Sequence, residues 1–340
     1  SRRWSTVVAL ARRPIERVHE LLPDADIMAS AAQGVAGASV LPRLVVFEAD
    51  LSMPDLGLSA ADRAAIQSMK ISVVIHSGAA VDHARPYAAL RPTNVAAASA
   101  LVRLVTACAT GNATDATLPR RPPPLFVHVS TMSVIPIAAA AASVGWDGKA
   151  DGLVLPACAA ALESGYAQSK LVAEHHLASA AGQGDIRLLI CRLGLIGAAA
   201  RSAAVPCVPS SSYAGRRDWL SLLLCAVEAI GASPAGLTSG GRKVGVLPVN
   251  LAAATVAQHA AAAFERAVGK APSEAPNVKI VNVDAMACGV APRPLSSLLD
   301  DIDATRARQM PALDRELPYG VWRRRVASAG PPAALALAML

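Results

Sequence analysis

Aromatic residues make up only 3% of the 340-residue chain. That scarcity argues against a sandwich anchored on large rings and leaves the core to Ala, Val, Leu and Ile, which suit close packing of helices on a sheet. Paired cysteines are also missing. Cys108, Cys158, Cys191, Cys207, Cys225 and Cys288 include no C-x-x-C spacing and no His at metal-ligand distance, so they read as free thiols in a reducing, cytoplasmic compartment. His175 and His176 are neighbours on one expected helix and point in different directions, a poor metal pair. No signal peptide is visible, and the apolar tail "PPAALALAML" is too short to span a bilayer. The 32 basic residues outnumber 25 acidic ones, but they are scattered as Arg12-Arg13, Arg120-Arg121, Arg216-Arg217 and Arg323-Arg324-Arg325. Without a basic stripe interleaved with aromatics, an acidic or phosphorylated partner fits better than nucleic acid or membrane.

What is present is an alternation of apolar runs and helical patterns. "WSTVVALARR", "RLVVFEADL", "ISVVIHSGAA", "LFVHVSTMSV" and "DIRLLICRLGLIG" read as strands. Between them, "PIERVHELL", "SAADRAAIQSM" with Ser59 as N-cap, residues 87–109, and the stretch after residue 161 read as helices. "GNATDATLPRRPPP" and residues 136–161 read as loops. Continuous apolar strands alternating with helices predict an α/β fold, a Rossmann-like doubly wound parallel sheet over residues 1–198. Beyond residue 198 the pattern loosens into a smaller C-terminal substrate lobe, 199–340, with the strands or helices near 243–265 returning toward the main domain. "RRDWLSLLLCAVEAIG" is expected to be a helix of that lobe and "VKIVNV" a short strand in it.

The stretch "ESGYAQSKLVAEHH" carries the chemistry. Tyr166 and Lys170 stand four apart, on one face of a helix. A free phenol titrates near ~10, and an ammonium one turn away is expected to favour its anion and make it a usable proton donor. The spacing alone is a weak signal. It gains weight because this helix follows a strand ending in Ser130-Thr131, so that Thr131, Tyr166 and Lys170 converge where ligands of such sheets bind, beyond the strands' carboxyl ends.

Taken together, "VSTMSV", "GYAQSKLVAE" and "CRLGLIG", with "VVALARR", "ADLSMPDLGLSAADRAAI", "VVIHSGAAVDHARPYAALRPTNV", "VGVLPVNLAAATVAQ" and "LPYGVW", resemble the extended short-chain dehydrogenase/reductases. The likeness is to thioester reductase domains that terminate nonribosomal peptide and polyketide synthases, and to aminoadipate and carboxylic acid reductases. It implies Thr131, Tyr166 and Lys170 as the catalytic set, with Lys170 also bonding the nicotinamide ribose. It further implies Arg12, assisted by Arg13, at an adenosine 2′-phosphate, hence NADPH ahead of NADH, and Asp50 and Leu51 beside the adenine. Ser77, Gly78 and Ala79 would line phosphates and ribose with Asn94 on the helix behind them. Ser130, Leu193, Gly194 and Leu195 would complete the cofactor site. The implied partner is an acyl or peptidyl carrier protein bearing a phosphopantetheine arm.

The chain departs from the family's pattern in three places. Arg192-Leu193-Gly194 stands where Arg-Pro-Gly is usual, and Pro248-Val249-Asn250 where Pro-Val-Asp is common. No glycine-rich turn precedes Trp4, and "GVAG" at 34–37 comes before a strand instead of after one. The expectation is therefore a sheet whose first, central strand is missing, as in a fragment, so that two strands lose a neighbour and NADPH binds weakly. Competing readings are a fatty acyl-CoA reductase, a sugar-nucleotide epimerase-type relative, or a catalytically silent Rossmann-like module.

Overall fold

The computed structural model describes residues 6–12, 27–29, 43–110, 122–136, 151–162, 164–197, 223, 226–227, 229–237, 243–267, 277–297 and 314–329. Arg13, "PIERVHELL", "GVAG", most of "RRDWLSLLLCAVEAIG" and most of the loop at 111–124 lie outside them.

Strands β1 (Thr6–Ala11), β2 (Ile27–Ala29) and β3 (Arg43–Glu48) form one parallel sheet in the order β1-β3-β2. Strands β4 (Val73–His76), β5 (Leu125–Thr131) and β6 (Arg187–Leu193) are also parallel, and Val278–Val283 extends their sheet beyond β6. The two sheets share a core. Val8 and Leu10 from β1, Val45 and Phe47 from β3, Val74 from β4, Phe126 from β5 and Leu188 and Ile190 from β6 all join one apolar cluster. Helices α1 (Ala60–Ser68), α3 (Ala97–Thr110) and α4 (Gly165–Gly182) contribute to the same cluster, so one helical layer lies under both sheets.

Among the described residues β1 and β4 are edge strands of their respective sheets. Val7 and Ile75 on these strands are 43% and 50% exposed. A central β-strand normally hides such side chains, and an unpaired parallel edge leaves its amides and carbonyls without partners.

The other face of β5 and β6 packs on α5 (Val249–Ala267) through Val127, Leu189, Cys191, Ala252, Val256 and Ala260. The main sheet is thus covered on both sides, a doubly wound α/β arrangement. Two segments beyond residue 198 join it: α5, which packs on its face, and Val278–Val283, which pairs with β6. An apolar run bounded by polar residues has the same pattern in a lobe or in the main sheet; its register against Leu188–Leu193 puts it in the sheet.

The expected helix over 87–109 is built from α2 (Tyr87–Arg91), a π turn (Pro92–Ala96) and α3. Pro92 has no N–H to give the helix ladder, and the wider turn buries Thr93, Asn94 and Val95 together. The Ser59 hydroxyl caps α1, accepting from Asp62 N–H at 3.0 Å. Ser164 caps α4 by accepting from Ala167 N–H at 3.2 Å. No helix among the described residues is long and apolar enough to cross a membrane.

Candidate active site

Helix α4 crosses the carboxyl end of β5 and is pinned there by its own side chains. Lys170 Nζ donates to the Val129 carbonyl at 2.8 Å, and Ser130 Oγ donates to Glu174 Oε1 at 2.7 Å. Tyr166 lies one turn, about 6 Å, before Lys170 on the same helix face. That carries it toward the rim where Thr131 ends the strand. Tyr166 and Lys170 are both buried, whereas Thr131 is partly exposed, with Oγ1 accepting from Ser133 N–H and its hydroxyl donating to Ser133 Oγ, each at 3.2 Å.

The electrostatics differ from the sequence expectation. Burial pushes the Tyr166 phenol up to about 12, and the ammonium expected to lower it is held by a strand carbonyl. Burial brings Lys170 down to about 8 against the opposing pull of Glu174. At neutral pH the pair is therefore a protonated phenol beside an ammonium. In this state Tyr166 is a proton donor and not a base.

Beneath Lys170 lies a polar layer that sequence reasoning does not assemble. Arg192 grips Glu174 with two bonds, Nη2 to Oε2 at 2.6 Å and Nε to Oε1 at 3.0 Å, and its Nη1 reaches the Gly152 carbonyl at 3.1 Å. Both side chains are fully buried. The signal for this pair is in the sequence: an arginine inside the apolar strand "LLICRLG" needs a buried counter-charge, and Glu174 is four residues past Lys170 on the same face.

His76 and His128 are register partners on β4 and β5, buried with ring centroids 5.5 Å apart. Among the described residues neither His128 nitrogen has a hydrogen-bond partner, nor does His76 Nε2. Burial, reinforced by the Lys170 charge, takes His76 down to about 3 and His128 well below the usual imidazole range. In the unfolded chain both titrate near 6.5, so as pH falls through that value the unfolded state binds protons first. Stability is fully present above about pH 6.5 and is lost toward about pH 3, each histidine contributing up to about 1.4 kcal/mol per pH unit. Urea midpoints should drop steeply between about pH 6 and about pH 4, and His128→Phe should flatten that slope. A midpoint independent of pH over this interval would contradict the buried placement.

The expected cofactor residues fall into three groups. Ser77, Gly78 and Ala79 follow β4 directly at the rim. Asn94 fastens the next residue, accepting from Ala80 N–H at 2.8 Å and donating to its carbonyl at 3.0 Å. Gly78 packs closely on Leu51, and a Cβ there would lie 2.5 Å from Leu51 Cδ1, so a larger residue would have to push that side-chain end aside. Leu193, Gly194 and Leu195 mark the point where the chain leaves the main sheet, with β7 (Leu195–Gly197) pairing instead with Val246–Pro248. Arg12 is exposed just past β1, and the Asp50 carboxyl is lowered first by Ser52, whose hydroxyl and N–H donate to Oδ1 at 2.7 and 2.8 Å, and then by Arg12. Asp50 is thus a turn cap in this structure.

Ser130 does not serve as the sequence reading expects. Its hydroxyl is buried and committed to Glu174, because the alternation of β5 points it into the α4 interface. His175 Nε2 lies 2.7 Å from the Val154 carbonyl, and no metal-binding cluster occurs among the described residues.

Of the two ends of a nicotinamide dinucleotide, Lys170, whose Nζ donates to Val129, would meet the ribose, and Arg12, exposed just past β1, would meet a phosphate monoester. Among the described residues no glycine turn at a helix N-terminus is available for the pyrophosphate.

An open doubly wound sheet with a Tyr-x-x-x-Lys helix seated on the carboxyl end of its β5 strand defines a short-chain dehydrogenase/reductase, an NAD(P)-linked oxidoreductase. More narrowly, the chain belongs to the male sterility protein family of NAD-binding domains, whose model matches residues 5–256. Its fold is that of the terminal reductase domain from the myxalamid PKS-NRPS biosynthetic pathway, with a TM-score of 0.61 at 20% identity over 99% of this chain and 79% of that one. A thiolation-reductase di-domain from an archaeal nonribosomal peptide synthetase gives a TM-score of 0.62 at 15% identity, over 98% of this chain and 60% of that one. In sequence, the chain is 39% identical over 90 residues to the hybrid PKS-NRPS synthetase gkaA of Penicillium citrinum, 26% of this chain and 2% of that protein. It is 48% identical over 63 residues to the PKS-NRPS hybrid synthetase cheA of Chaetomium globosum, 18% of this chain and 1% of that protein. The aligned stretches are thus a very small part of those synthetases.

Proposed function

We propose that the chain is an NADPH-dependent reductase that releases an acyl or peptidyl thioester, carried on the phosphopantetheine arm of a carrier protein, as an aldehyde. The observation that carries this reading is the placement of Tyr166 and Lys170, buried on one helix face, at the strand end that also bears Thr131. The fold shared with terminal reductase domains supports it, and so do the synthetase relatives.

A nicotinamide bound along this rim would supply hydride. The chain's own groups do the rest. The Thr131 hydroxyl, redirected from Ser133, donates to the thioester carbonyl oxygen. Tyr166 delivers its proton to that oxygen as negative charge develops there, and Lys170, one turn on, stabilises the phenolate left behind. The resulting hemithioacetal collapses to the aldehyde and expels phosphopantetheine as its thiolate when the Tyr166 phenolate takes the hydroxyl proton back. Arg12 favours NADPH over NADH through the 2′-phosphate. A net charge of +7 suits an acidic carrier protein.

The unpaired outer edges of β1 and β4 among the described residues favour a second reading, a catalytically silent module. An acyl thioester of phosphopantetheine that drives NADPH oxidation, where a nucleotide sugar does not, is the result expected of the reductase. Silence toward both would favour the second reading.

A further inference from the structure

The loop joining β4 to α2, residues 77–86, is fastened to α4 at both ends. Near its start Asn94 holds the Ala80 backbone and donates from Nδ2 to Ser169 Oγ on α4 at 2.9 Å. At its end Gly165, the first residue of α4, lies so close to residues 85–87 that a Cβ would stand 2.5 Å from the Arg85 carbonyl oxygen. Between these points Asp82 Oδ1 accepts from Ala84 and Arg85 N–H at 3.0 and 3.1 Å, a tight turn that presents His83. The imidazole rests on Tyr166, with ring centroids 5.1 Å apart and planes at 65°. His83 makes no hydrogen bond among the described residues, so this ring contact is its visible engagement. Burial holds it below the usual imidazole range, with Asp82 opposing, and at neutral pH it packs as an uncharged ring.

We propose that His83 is a positioning residue for Tyr166: its imidazole, packed edge to face on the phenol ring, holds that ring in one orientation and screens it from water. The contact is a property of the fold, while its consequence for turnover rests on Tyr166 being the proton donor of the proposed reductase. Two elements of tight backbone contact, at Ala80 and at Gly165, fix the loop so that the imidazole stays over the phenol. An aromatic ring of similar size satisfies the same role, whereas a methyl group does not.

The test compares His83→Ala with His83→Phe in the full 340-residue chain, labelled with carbon-13 at the tyrosine ζ carbon. Tyr166→Phe identifies the Tyr166 resonance, and thermal melts confirm that each variant folds. In the parent protein and in His83→Phe the Tyr166 signal should stay in place up to about pH 10.5, while in His83→Ala it should begin to move, its midpoint lowered by about 1 unit. Where thioester turnover is measured, His83→Ala should lower kcat about tenfold with little change in KM, and His83→Phe should restore it. An unshifted Ala variant, or a Phe variant as shifted as Ala, overturns the proposal. A shift confined to Ala in a protein that turns over no thioester upholds it and counts against the reductase reading alone.

Discussion

Tyr166→Phe is expected to lower kcat for thioester reduction about a thousandfold, with KM almost unchanged. In the proposed mechanism the hydroxyl acts on charge that exists only as hydride arrives, so its loss should fall on the chemical step and spare substrate binding. Phe keeps the ring that packs against His83 and removes only the oxygen, so the fold is preserved. The phenol is held protonated across the neutral range, its pKa up at about 12, and the remaining hydroxyl, Thr131, is a poor acid. Steady-state NADPH oxidation measures both constants. A loss under about tenfold would mean that another group supplies the proton.

The largest effect on stability is expected at Arg192. Arg192→Met leaves Glu174 fully buried with Ser130 as its remaining partner, and the cost should be about 3–5 kcal/mol. Removing both charges, with Glu174→Met added, should recover most of it, because an apolar pair of similar volume carries no desolvation penalty. The double variant also removes the carboxylate that supports the Lys170 ammonium, so it should fold well and reduce thioester poorly. Urea denaturation of the single and double variants gives the comparison. Equal loss in both would show that the pair stabilises the fold by packing alone.

The contrast between these two residues shows what the sequence discloses. Tyr166 and Lys170 are legible because a helix converts a spacing of four into a shared face, and the strand before them ends in hydroxyls. Arg192 advertises a buried counter-charge by sitting in an apolar strand, although the identity of its partner depends on how α4 lies across β5 and β6. His83 is not legible. Its contact with Tyr166 spans more than eighty residues and is created by the Asn94 side chain holding the Ala80 backbone and by the close approach at Gly165, which no local pattern records. Ser130 follows a simpler rule: adjacent side chains at a strand end face opposite sides, and Ser130 is the one turned toward α4 and Glu174.

Tracing the label in the reductase reaction is the most direct measurement. With NADPH deuterated at the nicotinamide C4 position that is transferred, and an acyl-phosphopantetheine thioester on its carrier protein, the aldehyde should carry one deuterium on the former carbonyl carbon. That product should fall away in Tyr166→Phe. An aldehyde without deuterium, or label transfer that persists undiminished once the phenol oxygen is gone, would contradict the account.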